Sequence, residues 1–500
     1  MKLFAFLLTL SSWALNGSLA DDDMCGVTNI PVGAVATPAD GSYYDESRKQ
    51  WASSMGSTSM SDAMLSPEAI VYCTGDEEVL SIIDFASQCG YKLSVRSGGH
   101  QYSGYSSCEA GTRCIQVDVS GIKSFSYDDD SNLATLGAGL KVDEVTWNLF
   151  PLGLVLPMGI CNSVGLGGHL QSSSLGFFAS SFGLGMDLVR SFRIATADGT
   201  IQTVTPDSNP DLYKAVLGAG KYVDIASMPE IANDAMPFLV VAPREQAPTS
   251  GDFTHYITLI VSWTGKDNGP LFDNFDAESP NEKYATYIQP FRDIAEPAII
   301  NLNQPVPIHN QMAGFAFDFN QQPFRYHVAS ISTDDYSLDA SYWEMVATEV
   351  DDRLAMDNLY SSLQFQGYGG AGDGSQFNRN TGLNSFPFRD LKIHFDDWVF
   401  FLDDDQEEVA RGRVNGLRDS TESYWRDPSG TEGFWMTTRT TDVEDLTTKD
   451  DLWKEFYPDR ATFMSLQDVK ERVDPCNVFS SDTTIPLKDS SNKKDCPSYP

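Results

Sequence analysis

The sequence is short of basic residues: 34 Lys and Arg stand against 70 Asp and Glu, a formal net charge of −36. That excess repels phosphate backbones, which excludes nucleic acid as a partner. Its plain reading is a surface suited to solubility outside the cell. Also missing is any uninterrupted apolar run of about 18 residues, so no segment reads as a bilayer span and no membrane partner is expected. There is no C-x-x-C pair and no His/Cys cluster at zinc spacing, so a structural metal is not expected. No G-x-x-x-x-G-K-[ST] is present. Nor does any G-x-G-x-x-G stand between a strand and a helix with a later acid, which sets aside the phosphate-binding and dinucleotide fingerprints. Internal repeats and long low-complexity linkers are absent.

What is there begins with a segment that reads as a secretory signal over residues 1–20. Lys2 gives the positive start, Leu3 to Leu10 the apolar centre, and Ser18-Leu19-Ala20 a small-residue cleavage site. The expectation is a secreted, extracellular protein. The only glycosylation sequon, Asn16-Gly17-Ser18, leaves with that signal. A chain of 500 residues is too long for one core, and 41% hydrophobic content suits packed domains. The eight cysteines (Cys25, Cys73, Cys89, Cys108, Cys114, Cys161, Cys476, Cys496) should mostly pair in an oxidising compartment. Cys108 and Cys114 could close a short loop, but spacing does not fix the connectivity.

From Pro67 to about Leu217 strands and helices alternate. Ile70 to Cys73, Leu93 to Val95, Ile115 to Val119 and Thr135 to Gly139 read as strands. Val79, Ile82, Ile83 and Ala86 mark a helix face behind an acidic turn, and Val142 to Leu149 is helical. Asp198-Gly199 between Arg193–Ala197 and Ile201–Val204 signals a hairpin. Beyond Gly251 the texture changes: aromatic strands such as Tyr256 to Trp263 and Trp398 to Leu402 alternate with acidic helical stretches such as Asp339 to Leu354.

Two glycine-rich stretches stand out. One is Arg96-Ser97-Gly98-Gly99-His100-Gln101-Tyr102, running straight out of a strand. The other is Gly159-Ile160-Cys161-Asn162-Ser163-Val164-Gly165-Leu166-Gly167-Gly168-His169. Consecutive glycines let backbone N–H groups approach a phosphate, and Arg96 and Ser97 would add charge and a hydroxyl. Each stretch alone reads first as a tight structural turn. Cys161 alone reads as a disulfide half or a small buried hydrophobe.

Together the two stretches resemble the berberine-bridge-enzyme-like oxidases, a branch of the vanillyl-alcohol-oxidase flavoprotein superfamily. Gly137-Ala138-Gly139, Gly176-Phe177, Gly183-Leu184, Asp187, Ala197-Asp198-Gly199 and Asn209 to Tyr213 follow in the same order. The resemblance implies FAD bonded twice, at His100 and at Cys161. Arg96, Ser97, Gly98, Gly99, Gly159, Val164, Gly165, Gly167, Gly168 and Asp187 would surround it. Alkylating the flavin ring redistributes its electrons, raises its redox potential and fixes its position. In the family the position of Val164 gates oxygen, and valine resembles the version that admits O₂ and yields H₂O₂. His169 is expected to support its turn rather than react. His255, His309, His327 and His394 lie in no motif and read as structural.

Asp468 to Phe479 resembles the family's closing segment, while Gly369-Gly370 and Phe386 to Asp390 resemble turns on its substrate side. The sequence departs from the pattern in three places. Lys221 to Ala247 (KYVDIASMPEIANDAMPFLVVAPREQA) lacks the N-F-G-x-x-T-like stretch. Gly433 to Thr438 replaces the Y-x-N-Y-like strand that carries a catalytic tyrosine in the carbohydrate oxidases. Gln364 and Gln366 stand where a carboxylate is expected before Gly369-Gly370. Of the expected active-site groups Tyr102 remains, with Tyr368 as a further tyrosine, and a base for the substrate O–H is not identified.

The architecture expected is α+β: a PCMH-type FAD-binding domain of two α+β subdomains over residues 60–250, and a central α+β substrate domain with an antiparallel sheet over 251–465. A segment at 466–487 would return to the FAD side. The function expected is oxidation of a small-molecule hydroxyl, a sugar or oligosaccharide or other alcohol, with O₂ as acceptor. The alternatives are a secondary-metabolite oxidase on the same scaffold and a degenerate, non-catalytic flavin-binding protein.

Overall fold

The computed structural model describes residues 24–50, 65–101, 106–159, 161–172, 174–176, 178–217, 235–243, 255–263, 325–333, 340–354, 359–367, 393–401, 403–425, 435–439, 457, 460–480, 485–488 and 496. Its N-terminal part is a four-stranded sheet of β1 (Val35–Ala36), β2 (Ala69–Tyr72), β3 (Lys92–Arg96) and β4 (Cys114–Asp118), in the order β1-β2-β4-β3. β2 and β3 both run parallel to β4, and β1 closes the edge antiparallel. All five residues of β4 are buried, as a central parallel strand covered on both faces requires.

Helix α1 (Ser42–Ser47) precedes β2, and α2 (Asp76–Cys89) links β2 to β3. Three acids, Asp76 to Glu78, occupy the first turn of α2, where the helix dipole favours them. Gly90 at φ 68° ends it in a left-handed cap. Its face of Ile82, Ile83, Phe85 and Ala86 packs on Val71, Leu93, Ile115 and Val117 to form one core.

A second core forms behind it. Two hairpins, β5 (Phe125–Asp128) with β6 (Leu133–Leu136) and β7 (Phe192–Ala195) with β8 (Ile201–Val204), combine with α3 (Val142–Leu149), α4 (Leu166–Gln171), α5 (Ala179–Phe182) and α6 (Pro210–Val216). Val145, Leu149, Met158, Leu184, Val204 and Leu212 are buried there together. The two cores are the two α+β subdomains of the expected fold.

The remaining strands make one antiparallel sheet in the order β10-β9-β12-β13-β11-β14. They are β9 (Ala235–Pro243), β10 (His255–Trp263), β11 (Arg325–Thr333), β12 (Leu359–Gly367), β13 (Ile393–Phe401) and β14 (Trp435–Arg439). Helices α7 (Ala340–Leu354) and α8 (Glu407–Trp425) pack on it. One expectation needs correction. β9 lies inside 60–250 yet pairs with β10 and β12, so the sheet begins before residue 250. Nothing local marks that point, because strand membership is fixed by partners elsewhere in the chain.

The chain then returns. Helix α9 (Arg460–Val473) packs on α6, and Val469 enters the second core. Ala197 N–H donates to the Val473 carbonyl at 3.1 Å, and Leu93 N–H to the Val478 carbonyl at 2.8 Å. Disulfides join Cys25–Cys89, Cys108–Cys114 and Cys476–Cys496. Cys161 lies outside all three, and Cys73 is a buried thiol that burial pushes up to about 12. Among the described residues no helix is long and apolar enough to cross a membrane, and no group of three or more His, Cys, Asp or Glu could hold a metal.

Candidate functional site

Three loops meet where the two cores adjoin. They are the turn after β3 (residues 96–101), the loop ahead of α3 (137–141) and the stretch from Pro157 into α4. Gly98 and Gly165 lie backbone on backbone. A Cβ on Gly98 would sit 2.2 Å from Gly165 N, and one on Gly165 would sit 2.2 Å from Gly98 N. Real Cβ atoms do not approach so closely, so neither position accepts a side chain. The loop ahead of α3 completes the junction. Ser97 Oγ donates to the Ala138 carbonyl at 2.7 Å, Gly167 N–H donates to the same carbonyl at 3.1 Å, and Leu166 N–H donates to the Leu140 carbonyl at 2.7 Å.

This packing places His100 beside the loop that carries Cys161. His100 Nε2 lies 2.8 Å from Ser163 Oγ, two residues beyond Cys161. Burial, with Lys141 beside it, pushes the His100 imidazole down to about 3, so it is neutral at physiological pH. A neutral imidazole has the lone pair that bonding to a flavin carbon needs. Cys161 is half-buried at the opening of the turn, and Val164 N–H donates to its carbonyl at 3.3 Å. Next to it, Asn162 Oδ1 is buried and accepts no hydrogen bond from the described residues, an acceptor awaiting a donor. A neutral imidazole, a cysteine outside the disulfides and an unsatisfied buried acceptor together fit a flavin.

The other expected residues divide. Gly99 takes φ 72°, the left-handed turn that delivers His100. Gly159 N–H donates to His169 Nε2 at 2.9 Å, so His169 supports the turn as expected. Gly168 faces open space. Val164 packs against the second core, and its carbonyl accepts from Val142 N–H at 3.0 Å.

Two further residues take partners within the chain. Arg96 was expected to bring charge to a phosphate, but the guanidinium is buried. Its Nε donates to Asp118 Oδ2 at 2.6 Å and its Nη1 to the Ser47 carbonyl at 2.8 Å. Turning the Gln116 amide over adds its oxygen at 3.0 to 3.2 Å from the guanidinium nitrogens. Arg96 and Asp118 are directly opposite on β3 and β4, so the pair fixes the end of the strand from which the His100 turn leaves. Asp187 is buried and turns back on its own loop, accepting from Leu184 N–H at 3.4 Å. Tyr102, Tyr368, Gly369-Gly370 and Phe386 to Asp390 lie outside the described residues, as do residues 221–234.

A family profile described as an FAD binding domain matches residues 67–205. This chain carries an FAD binding domain. The match spans both glycine stretches, and the berberine-bridge-like resemblance holds across the FAD domain and in the fold. The chain is similar to the FAD-linked oxidoreductase pytB of Aspergillus terreus, 31% identical over 186 residues, which are 37% of this chain and 22% of that protein. It is also similar to the xylooligosaccharide oxidase of Thermothelomyces thermophilus, 28% identical over 199 residues, 39% of each chain. These alignments span between about a fifth and two fifths of the relatives' own length. The solved structure of the BBE-like 1 protein of Physcomitrella patens shares the fold, with a TM-score of 0.67 at 18% identity over 93% of this chain and 99% of that one.

Proposed function

We propose that the chain is a secreted FAD-linked oxidoreductase that oxidises a hydroxyl of a small molecule, a sugar or oligosaccharide first, with O₂ as electron acceptor and H₂O₂ as by-product. The observation that carries this reading is the Gly98–Gly165 junction, which brings His100 and the Cys161 turn together. Three disulfides support export to an oxidising compartment. The carbohydrate class rests on the named relative that acts on xylooligosaccharides, and the O₂ acceptor on the valine at position 164.

When bound, FAD supplies the two-electron acceptor. The chain supplies the rest. His100 and Cys161 would each bond the ring, Ser163 orients the imidazole, and Arg96 with Asp118 holds the strand end rigid under the turn. A hydroxyl substrate also needs a group to take its proton.

A second reading, an oxidase of secondary metabolites, is favoured by β14, where Trp435 to Arg439 has no tyrosine. The test is peroxide release by the flavin-loaded protein from oligosaccharides and from aromatic alcohols. Turnover of oligosaccharides alone supports the first reading, and of alcohols alone the second. No turnover with flavin bound supports a non-catalytic flavin-binding protein.

A further inference from the structure

The six-stranded sheet has two faces with different fillings. On one, α7 covers β12 while α8 covers β11 and β13. Arg353 reaches down from α7 to Asp397, with Nη1 at 2.5 Å from Oδ1 and Nη2 at 2.8 Å from Oδ2, and also meets Ser361 Oγ at 3.0 Å. Strand side chains alternate, so His394 and Asp396 belong to the opposite face from Asp397. His394 is 0% exposed and Asp396 5% exposed. Their side chains meet, with Nε2 at 2.9 Å from Oδ1.

The register around this pair is informative. Gln364 and Gln366 of β12, where the family resemblance places a carboxylate, lie directly opposite Asp396 and His394. On the other side the partners are Ser330 and Ser332 of β11, and beyond them Thr438 and Trp435 of β14. Val240 and Phe238 of β9 stand opposite the two glutamines. None of these flanking positions carries a charge, so Asp396 and His394 are the titratable groups at the centre of that face among the described residues. Helix α5 of the FAD domain packs on β9 of this sheet.

We propose that Asp396, positioned by His394, takes the proton of the substrate hydroxyl, the carboxylate missing from β12 being supplied one strand over. This rests on the oxidoreductase reading above. The 2.9 Å approach of His394 Nε2 to Asp396 Oδ1 lets the imidazole hold the carboxylate in place. In the reaction the substrate O–H bond breaks and its proton goes to the carboxylate. The adjacent C–H bond breaks, its electron pair and hydrogen leave as hydride to oxidised flavin, and a C=O bond forms. Asp396 is then the catalytic residue and His394 a positioning residue.

Two readouts test it on the flavin-loaded protein. The first needs no substrate: the pH dependence of the bound flavin's midpoint potential counts the protons taken up per two electrons. The parent should take up two where Asp396→Asn takes up one, because a nearby base follows the charge on the ring. The second is anaerobic flavin reduction by substrate. Asp396→Asn should slow it by roughly 10²- to 10⁴-fold. His394→Gln should slow it less and move the pH at which the rate levels off. Equal proton uptake in parent and Asp396→Asn, both with flavin bound, overturns the proposal. So does a parent-like reduction rate in Asp396→Asn. A proton-uptake difference in a parent that releases no peroxide from any compound counts against the oxidase reading and leaves the pair in place.

Discussion

In the FAD domain the side chains proposed to bond the flavin are held by backbone packed on backbone, whereas in the six-stranded sheet the proposed base and its partner are held by cross-strand register. The first device is local. A Cβ on Gly98 would come within 2.2 Å of Gly165 N, and each glycine sits inside a short stretch with His100 or Cys161 two or four residues away. The second is not local. Asp396 gains its surroundings from Gln364 and Ser330, which lie on strands 32 and 66 residues earlier. A cofactor that always has the same shape can be matched by a fixed local pattern. A substrate pocket assembled from alternating strand positions can change chemistry with a few exchanges on neighbouring strands.

The largest effect should come from cutting the ion pair under the sheet. Arg353→Met leaves Asp397 buried without its cation, which should lower stability by about 3–5 kcal/mol in denaturant titration. A loss confined to the sheet, with bound flavin unchanged in the folded fraction, fits two separately held regions. Flavin loss at equal stability would join them. The junction of the FAD domain comes next. Gly98→Ala or Gly165→Ala should cost about 1–3 kcal/mol and reduce flavin attachment. Gly168→Ala, which faces open space, should stay within about 0.5 kcal/mol and keep its flavin. Equal behaviour of Gly165 and Gly168 would contradict the backbone junction.

A pH-dependent effect follows from His100. It stays neutral in the fold down to about 3, while in the unfolded chain it titrates near the usual 6.5. Between those values the unfolded state binds the extra proton, so His100 contributes stability that is full above pH 6.5 and is lost as the pH falls towards 3. In flavin-free protein the slope should reach at most ~1.4 kcal/mol per pH unit over that window, and His100→Gln should flatten it. An unchanged slope in His100→Gln would place the acid sensitivity elsewhere.

How much could be read from the sequence follows the same division. The helix Val142–Leu149, the Asp198-Gly199 hairpin and the parallel strands follow from short-range periodicity and turn chemistry. His100 and Cys161 stand out because a local glycine pattern surrounds each. The pairing of Arg96 with Asp118 is hidden in the sequence because the two are 22 residues apart and become neighbours only when β3 and β4 pair. The same holds for His394, which lies in no motif and takes on meaning from Asp396 two residues on, once strand alternation puts both on one face. Pairing of Cys25 with Cys89 and of Cys476 with Cys496 likewise depends on where the termini return.

The central claim is that one flavin is bonded by both His100 and Cys161, and peptide mapping of the purified protein tests it directly. After proteolysis without reduction, mass spectrometry should find a single flavin-bearing species joining the His100 peptide to the Cys161 peptide. Cys161→Ala should leave flavin on the His100 peptide alone, and His100→Ala on the Cys161 peptide alone. Release of all the flavin into the acid supernatant, with the Cys161 peptide recovered unmodified from the denatured parent, would contradict it.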